Sequence, residues 1–183
     1  MTVRRQSEGV RDLPKSLKES LSGGDRRSIG LSDAVVKRVL KKPELVDDLF
    51  GLLLDVDRLV RMRAADALEK ATRDHPEWLE RYKPALLGRL AESKDKELRW
   101  HVAQMLPRLK LLSKEKEQAF QILVEYLQDP SSIVRTFSMQ ALADLSAPEA
   151  QLREDVRRLI EQLTCTGTPA MRSRGRKLLK QLR

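Results

Sequence analysis

Apolar and polar positions repeat along most of this chain with a period of 36 to 38 residues. Four segments align without gaps, each with an apolar residue, an arginine, a small residue and a closing apolar pair: 60–68, 98–106, 134–142 and 171–179. The apolar residues lie three or four positions apart, which is typical of one buried face of an α-helix. A helix with a single apolar face cannot bury it alone, so the pattern predicts that successive helices stack.

A second type of helix is predicted between these segments, over residues 44–54, 76–91, 114–128 and 149–163. Pro43, Pro76 and Pro148 stand at or near a first turn, where proline is tolerated, and Ser113 is a candidate N-cap. Pro84 falls inside the second range, where we expect it to kink or split the helix. No stretch alternates between apolar and polar residues over the length of a strand, so the sequence predicts no sheet.

One unit carries a turn that points to a family. It reads Leu-Gln-Asp-Pro-Ser-Ser-Ile-Val-Arg over 127–135 and is followed by Ala141 and Leu142. This unit resembles a HEAT repeat, in the armadillo/HEAT class, where an Asp-Pro turn leads into the second helix of a hairpin. The resemblance covers residues 43–183. It implies an all-α fold, namely an α/α superhelix: a right-handed solenoid of helical hairpins.

The chain is predicted to have three parts. Residues 1–12 have no periodicity and are expected to be a flexible N-terminal tail. Residues 13–42 are predicted to be an N-terminal capping segment, with a helix over 32–40 that has Ser32 as N-cap and an apolar stripe ending at Leu40. Residues 43–183 are the predicted solenoid.

Charge is distributed unevenly along the chain, whose net charge is +9. Residues 1–42 hold 11 basic and 5 acidic residues, residues 43–163 hold 19 and 22, and residues 164–183 hold 6 and none. The two ends are therefore basic and the body is slightly acidic. Basic ends favour an anionic partner, although they also serve simply to keep a solenoid in solution.

The sequence offers little material for chemistry. Cys165 is the single cysteine, so no internal disulfide forms, and with two histidines it does not suffice for a usual zinc site. No nucleophile–base pair or metal cluster can be identified, so we expect no catalytic residues, no metal and no cofactor. Residues 1–12 lack the apolar stretch of a secretory signal, and no apolar run is long enough to span a bilayer, so a cytoplasmic protein without membrane contact is expected.

The resemblance separates two sets of residues. It implies a structural role for the arginine repeated at one position of each unit, bonded to an acidic or carbonyl group of an adjacent loop: Arg61, Arg99, Arg135 and Arg172. It also places the second helices on the concave surface. There, solvent-facing positions are predicted to form rows that bind a partner: Arg63, Trp100, His101, Gln104, Phe137, Gln140, Arg174 and Lys177.

The sequence leaves two binding functions open, beside a third interpretation as an enzyme or enzyme subunit of another kind for which no catalytic residues can be named. The first is a non-catalytic scaffold that holds a protein or peptide on the concave face. The alternative is a nucleic-acid-binding HEAT-like protein, with a groove like that of the HEAT-like DNA glycosylases and basic termini that contact phosphates. The slightly acidic body favours the first. The sequence leaves the oligomeric state undecided.

Overall fold

The computed structural model describes residues 16–24 and 30–182. This part of the chain contains α-helices and short 3₁₀ helices, and it contains no strand. The α-helices are α1 (Leu17–Leu21), α2 (Ser32–Lys41), α3 (Val46–Gly51), α4 (Arg58–Ala71), α5 (Lys83–Leu87), α6 (Lys96–Met105), α7 (Ser113–Tyr126), α8 (Ser132–Ser146), α9 (Ala150–Thr166) and α10 (Pro169–Gln181). The 3₁₀ helices are Pro43–Leu45, Leu52–Leu54, Pro76–Tyr82 and Leu106–Arg108. The predicted all-α repeat fold is confirmed.

The helices lie in two layers. The second helix of each pair packs directly on the second helix of the next, so that α2, α4, α6, α8 and α10 form one continuous layer. In the other layer, α3, α7 and α9 pack mainly against the second helices beside them. The second helices contact one another directly along the stack, as is typical of the inner, concave layer of a helical-repeat solenoid.

One apolar core runs between the layers from Leu17 to Leu182. The predicted small positions allow the helices to approach closely. Gly175 is the clearest case, because a Cβ atom there would collide with the Oγ1 of Thr164 on α9. Ala64 and Ser138, at the same repeat position, are fully buried. Gly175 and Thr164 belong to consecutive helices, so the missing side chain lets α10 lie close against α9.

The second helices agree with the sequence pattern better than the first helices do. The ranges predicted at 114–128 and 149–163 correspond to α7 and α9, but Ser113 is the first helical residue of α7 and not its N-cap. The range 44–54 is wrong as a single helix, because a 3₁₀ turn precedes and follows α3. The range 76–91 is split into a 3₁₀ helix and α5, with Pro84 in the first turn of α5.

The N-terminal segment covers the first end of the stack. Leu17 and Leu21 of α1 are buried, and α1 contacts both α2 and α4. Ser32 was predicted as an N-cap but lies inside α2, where its hydroxyl donates to Asp66 Oδ2 at 2.6 Å. Val35 and Val39 are buried as the stripe predicts, whereas Leu40 is exposed.

The predicted tail over residues 1–12 lies outside the described residues, and the domain division at residue 42 stays a prediction. In the described part, no helix combines the length and apolar character that crossing a membrane requires.

Candidate functional site

The repeated arginine joins consecutive repeats in the first half of the solenoid. Arg61 donates to the carbonyl oxygens of Asp55 and Val56 and to Asp95 Oδ2, at 2.8, 3.1 and 3.1 Å. Arg99 repeats this arrangement one unit later, donating to the Ser93 carbonyl and, at 2.7 Å, to Asp129 Oδ2. These are the contacts of an arginine that ties the loop of its own repeat to the loop of the next.

The same position behaves differently in the second half. The side chains of Arg135 and Arg172 make no hydrogen bond or ion pair with any described residue, and the Nε of Arg135 is buried without a partner there. The loop before α10 explains the change for Arg135, because Thr168 holds the N-cap position that Asp95 holds before α6. That loop offers Arg135 no carboxylate at the position from which Asp95 accepts from Arg61.

Three predicted partner-binding side chains form a row across the concave layer. The Trp100 ring on α6 stacks on Phe137 of α8, with ring centroids 5.3 Å apart. The guanidinium of Arg174 on α10 lies over the Phe137 ring, 5.7 Å from the ring centroid. All three side chains are half-buried. Each keeps part of its surface in solvent while a neighbour holds it in place.

Amide side chains border this row. Gln140 accepts a hydrogen bond from Arg174 and donates to Asp144, at 2.8 and 2.9 Å. Gln104, at the equivalent position of α6, donates to the carbonyl oxygen of Trp100 on the same helix. A cleft of about 200 Å³ opens between these groups, and its lining residues are Gln104, Pro107, Arg108, Phe137, Gln140, Ala141, Asp144 and Arg174.

Two residues of the predicted rows do not face solvent. Arg63 is 1% exposed, and its Nη1 donates to the carbonyl oxygens of Leu21 and Gly23 at 2.9 and 2.6 Å. His101 is also 1% exposed, and its Nδ1 donates to the Glu97 carbonyl. The prediction of a solvent-facing position is wrong for both, because the N-terminal segment covers Arg63 and the neighbouring helix covers His101. Lys177 is exposed on α10 and is not among the residues that line the cleft.

Two carboxylates of α4, one half-buried and one buried, lie where neighbouring repeats meet. Asp66 of α4 accepts from Ser32 of α2 and lies 2.9 Å from the Lys70 ammonium and 3.9 Å from His101 Nε2. Burial raises the pKa of Asp66, but interactions with His101, Ser32 and Lys70 outweigh it and leave the pKa below its usual range.

Glu69 is the second such carboxylate. It is 3% exposed and pairs with Arg73 and with Arg108 of the next repeat. Burial raises its pKa, and these two arginines lower it by more than that. The sequence analysis missed Glu69. The available signal was its position on the small-residue side of α4, where an unpaired carboxylate is costly.

The side chains around the cleft are mainly aromatic, amide and guanidinium groups, with the carboxylate of Asp144 at one side. Within residues 16–24 and 30–182, no three His, Cys, Asp or Glu side chains come together as metal ligands would. Cys165, the sole thiol, is exposed near the end of α9, far along the chain from His101. Aromatic, amide and guanidinium groups at a cleft are characteristic of recognition surfaces.

Comparison with solved structures and known families agrees with this architecture. The crystal structure of an engineered protein has the same fold with a TM-score of 0.59 and 18% identity, covering 91% of this chain and 77% of that chain. No curated protein sequence gives a significant match. The family model described as a HEAT repeat domain matches residues 17–182, so the match includes α1 and α2. The chain therefore belongs to the HEAT repeat family.

Proposed function

We propose that this protein is a non-catalytic scaffold that holds a protein or peptide partner in the cleft between α6, α8 and α10. HEAT repeat proteins generally serve protein interaction. We assign the partner-binding site to the row of Trp100, Phe137 and Arg174, with the amides of Gln104 and Gln140 beside it.

The stacked row is the single observation that carries the proposal. Trp100, Phe137 and Arg174 stand in contact across three repeats while each keeps part of its surface in solvent. Aromatic and arginine side chains held rigid at a cleft are the groups that most often dominate binding energy at protein interfaces. Their side-chain freedom is already restricted, so a ligand loses little further entropy on contact.

The charges around the cleft favour a polypeptide over a nucleic acid. Arg108 is paired with Glu69, Arg174 is shared between Gln140 and the Phe137 ring, and Asp144 stands exposed at the rim. Phosphate binding needs several cations free to face a backbone of like charges. Amide side chains both donate and accept hydrogen bonds, which suits the backbone of a peptide.

A displayed library of random short peptides, selected on the full chain, provides the test. Selected peptides are then titrated against Phe137→Ala/Arg174→Ala and against the matched pair Phe120→Ala/Arg158→Ala. The control changes one half-buried aromatic residue and one arginine on α7 and α9, in the other layer. We expect the dissociation constant to rise by about tenfold or more for the first variant only.

Arg174→Glu alone serves as a second variant, since truncation of Phe137 also removes packing from α8. The proposal fails if the selected peptides bind wild type and both Arg174 variants equally. It also fails if the cleft binds single-stranded or duplex DNA with a steep salt dependence while no peptide is selected.

A further inference from the structure

The helix α10 carries a cationic surface that the cleft does not use. Between Pro169 and Gln181 it holds five basic residues and no acidic residue. None of the five forms an ion pair with a described residue, whereas the cations of α4 and α9 are mostly paired. The neighbouring α9 contains three acidic and three basic residues, so the excess positive charge is confined to the width of one helix.

Three of these cations form a stripe: Arg172, Arg176 and Lys180. They are spaced four residues apart, so they point in one direction from the helix, and all three are exposed. Met171, Gly175 and Leu178 face the core on the opposite side. Arg174 faces α8 and the cleft, so the stripe and the cleft are separate surfaces.

The stripe is unfavourable for the isolated helix. Like charges four residues apart repel one another on a helix, and an acid at one of these positions would relieve the repulsion. The series of Arg–Asp ion pairs between repeats also ends before α10. Arg135 and Arg172 have no aspartate partner among the described residues. Positive charge thus accumulates, uncompensated, at this end of the solenoid.

We propose that the Arg172–Arg176–Lys180 stripe binds an acidic, extended segment of a protein partner. Residues four apart on a helix are separated by about 6 Å along its axis. Alternate side chains of an extended chain lie on one face and are about 6.6 Å apart. Aspartate or glutamate at every second position therefore matches the stripe with one carboxylate for each cation.

The dimensions favour such a segment over a nucleic acid. The stripe is about 12 Å long, from residue 172 to residue 180. A nucleic acid presents charge far beyond that length, and the neighbouring α9 holds as many acidic as basic residues and adds no net positive charge for it to contact. A short acidic segment fits within the stripe.

Fluorescence anisotropy with a labelled peptide of alternating glutamate and threonine tests the proposal on the full chain. We expect the variant Arg172→Gln/Arg176→Gln/Lys180→Gln to bind this peptide about tenfold more weakly than wild type. The control Lys37→Gln/Lys41→Gln/Lys42→Gln removes the same charge from exposed positions in and just after α2 and should leave the affinity nearly unchanged.

Folding does not confound this comparison, because glutamine is a good helix former and the exchange relieves repulsion, so the thermal midpoint should stay level or rise. The proposal is overturned if wild type does not bind the peptide or if both triple variants lose affinity equally. Tighter binding of single-stranded or duplex DNA, lost in the α10 variant, overturns it in favour of a nucleic acid. None of these results depends on the cleft, whose peptides should bind the α10 variant normally.

Discussion

At the scale of single residues, the repeated arginine is buried and paired in one repeat and exposed without an ion pair in another. The difference depends on whether a carboxylate lies opposite it. Arg99 is buried against Asp129 and lies 5.0 Å from the ring centroid of Tyr126. Arg172 holds the equivalent place in α10 and is exposed, with no ion pair to a described residue. A charge taken out of water requires a partner, so only the first arrangement is coupled to stability.

Replacing Arg99 with alanine should therefore lower the free energy of unfolding by about 3 kcal/mol, because Asp129 is left buried without its counter-charge. Arg172→Ala, the matched change at the same repeat position, should stay within about 0.5 kcal/mol of wild type. Urea denaturation followed by circular dichroism measures both.

Adding Asp129→Asn to Arg99→Ala removes the uncompensated charge and should recover part of the loss. Equal destabilisation by Arg99→Ala and Arg172→Ala would show that the buried Arg99–Asp129 pair adds nothing to the free energy of unfolding.

Sequence register predicted part of the candidate site. Trp100, Phe137 and Arg174 share a repeat position or its neighbour, so counting residues sufficed to place them together. The same counting failed for Arg63 and His101. Their cover comes from Leu21, Gly23 and the facing helix, and the repeat pattern contains no information on a segment that departs from it.

At the scale of helices, the second helix of each pair was predictable because its apolar spacing is regular in all four copies. The first helices were harder. Pro43, Pro76 and Pro84 each stand in the first turn of a short helix, and the 3₁₀ turns here bury Leu53 and Leu79 without a long α-helix. Apolar spacing alone does not distinguish an α-helix from a 3₁₀ helix over so few residues.

Two glycines allow the contact between helices to be tested. Gly175→Ala on α10 should destabilise the protein by about 1 to 3 kcal/mol, because the added Cβ overlaps Thr164 on α9. Gly51→Ala at the end of α3 meets no atom within 4 Å and should be neutral or stabilising by up to about 1 kcal/mol. Thermal unfolding of the two variants measures the difference.

Both glycines are helical and neither requires a positive φ, so they share any intrinsic gain in helix propensity. An equal response at the two positions would mean that α9 and α10 are not closely packed at Thr164.

At the scale of the whole molecule, stability should fall in acid because lowered carboxylate pKa values occur at the junctions between repeats. Burial raises the pKa of Asp66, Glu69 and Asp95, and hydrogen bonds and cations lower all three by more. Since each folded pKa lies below the unfolded value of about 4, unfolding takes up protons as the pH falls. The stabilisation is complete above about pH 5 and is lost progressively below it.

The variant Glu69→Gln isolates one of these groups. It should be less stable than wild type at pH 7, because Arg73 and Arg108 lose their carboxylate, and its stability should fall less steeply between about pH 5 and pH 3. Glu125→Gln alters an exposed carboxylate without an ion pair and should keep the wild-type slope. If the free energy of unfolding falls with pH as steeply in Glu69→Gln as in wild type, Glu69 does not contribute to the loss of stability in acid.

Because Arg63 is enclosed, the two ends of the concave face differ in the charge that they present to a partner. At the α4 end, the guanidinium is held by the carbonyl oxygens of Leu21 and Gly23. At the α10 end, Arg174 and Lys177 keep their charge near solvent. We expect an extended chain with one acidic terminus to bind with that terminus toward α10, so the protein would distinguish a peptide from the same residues in reverse order.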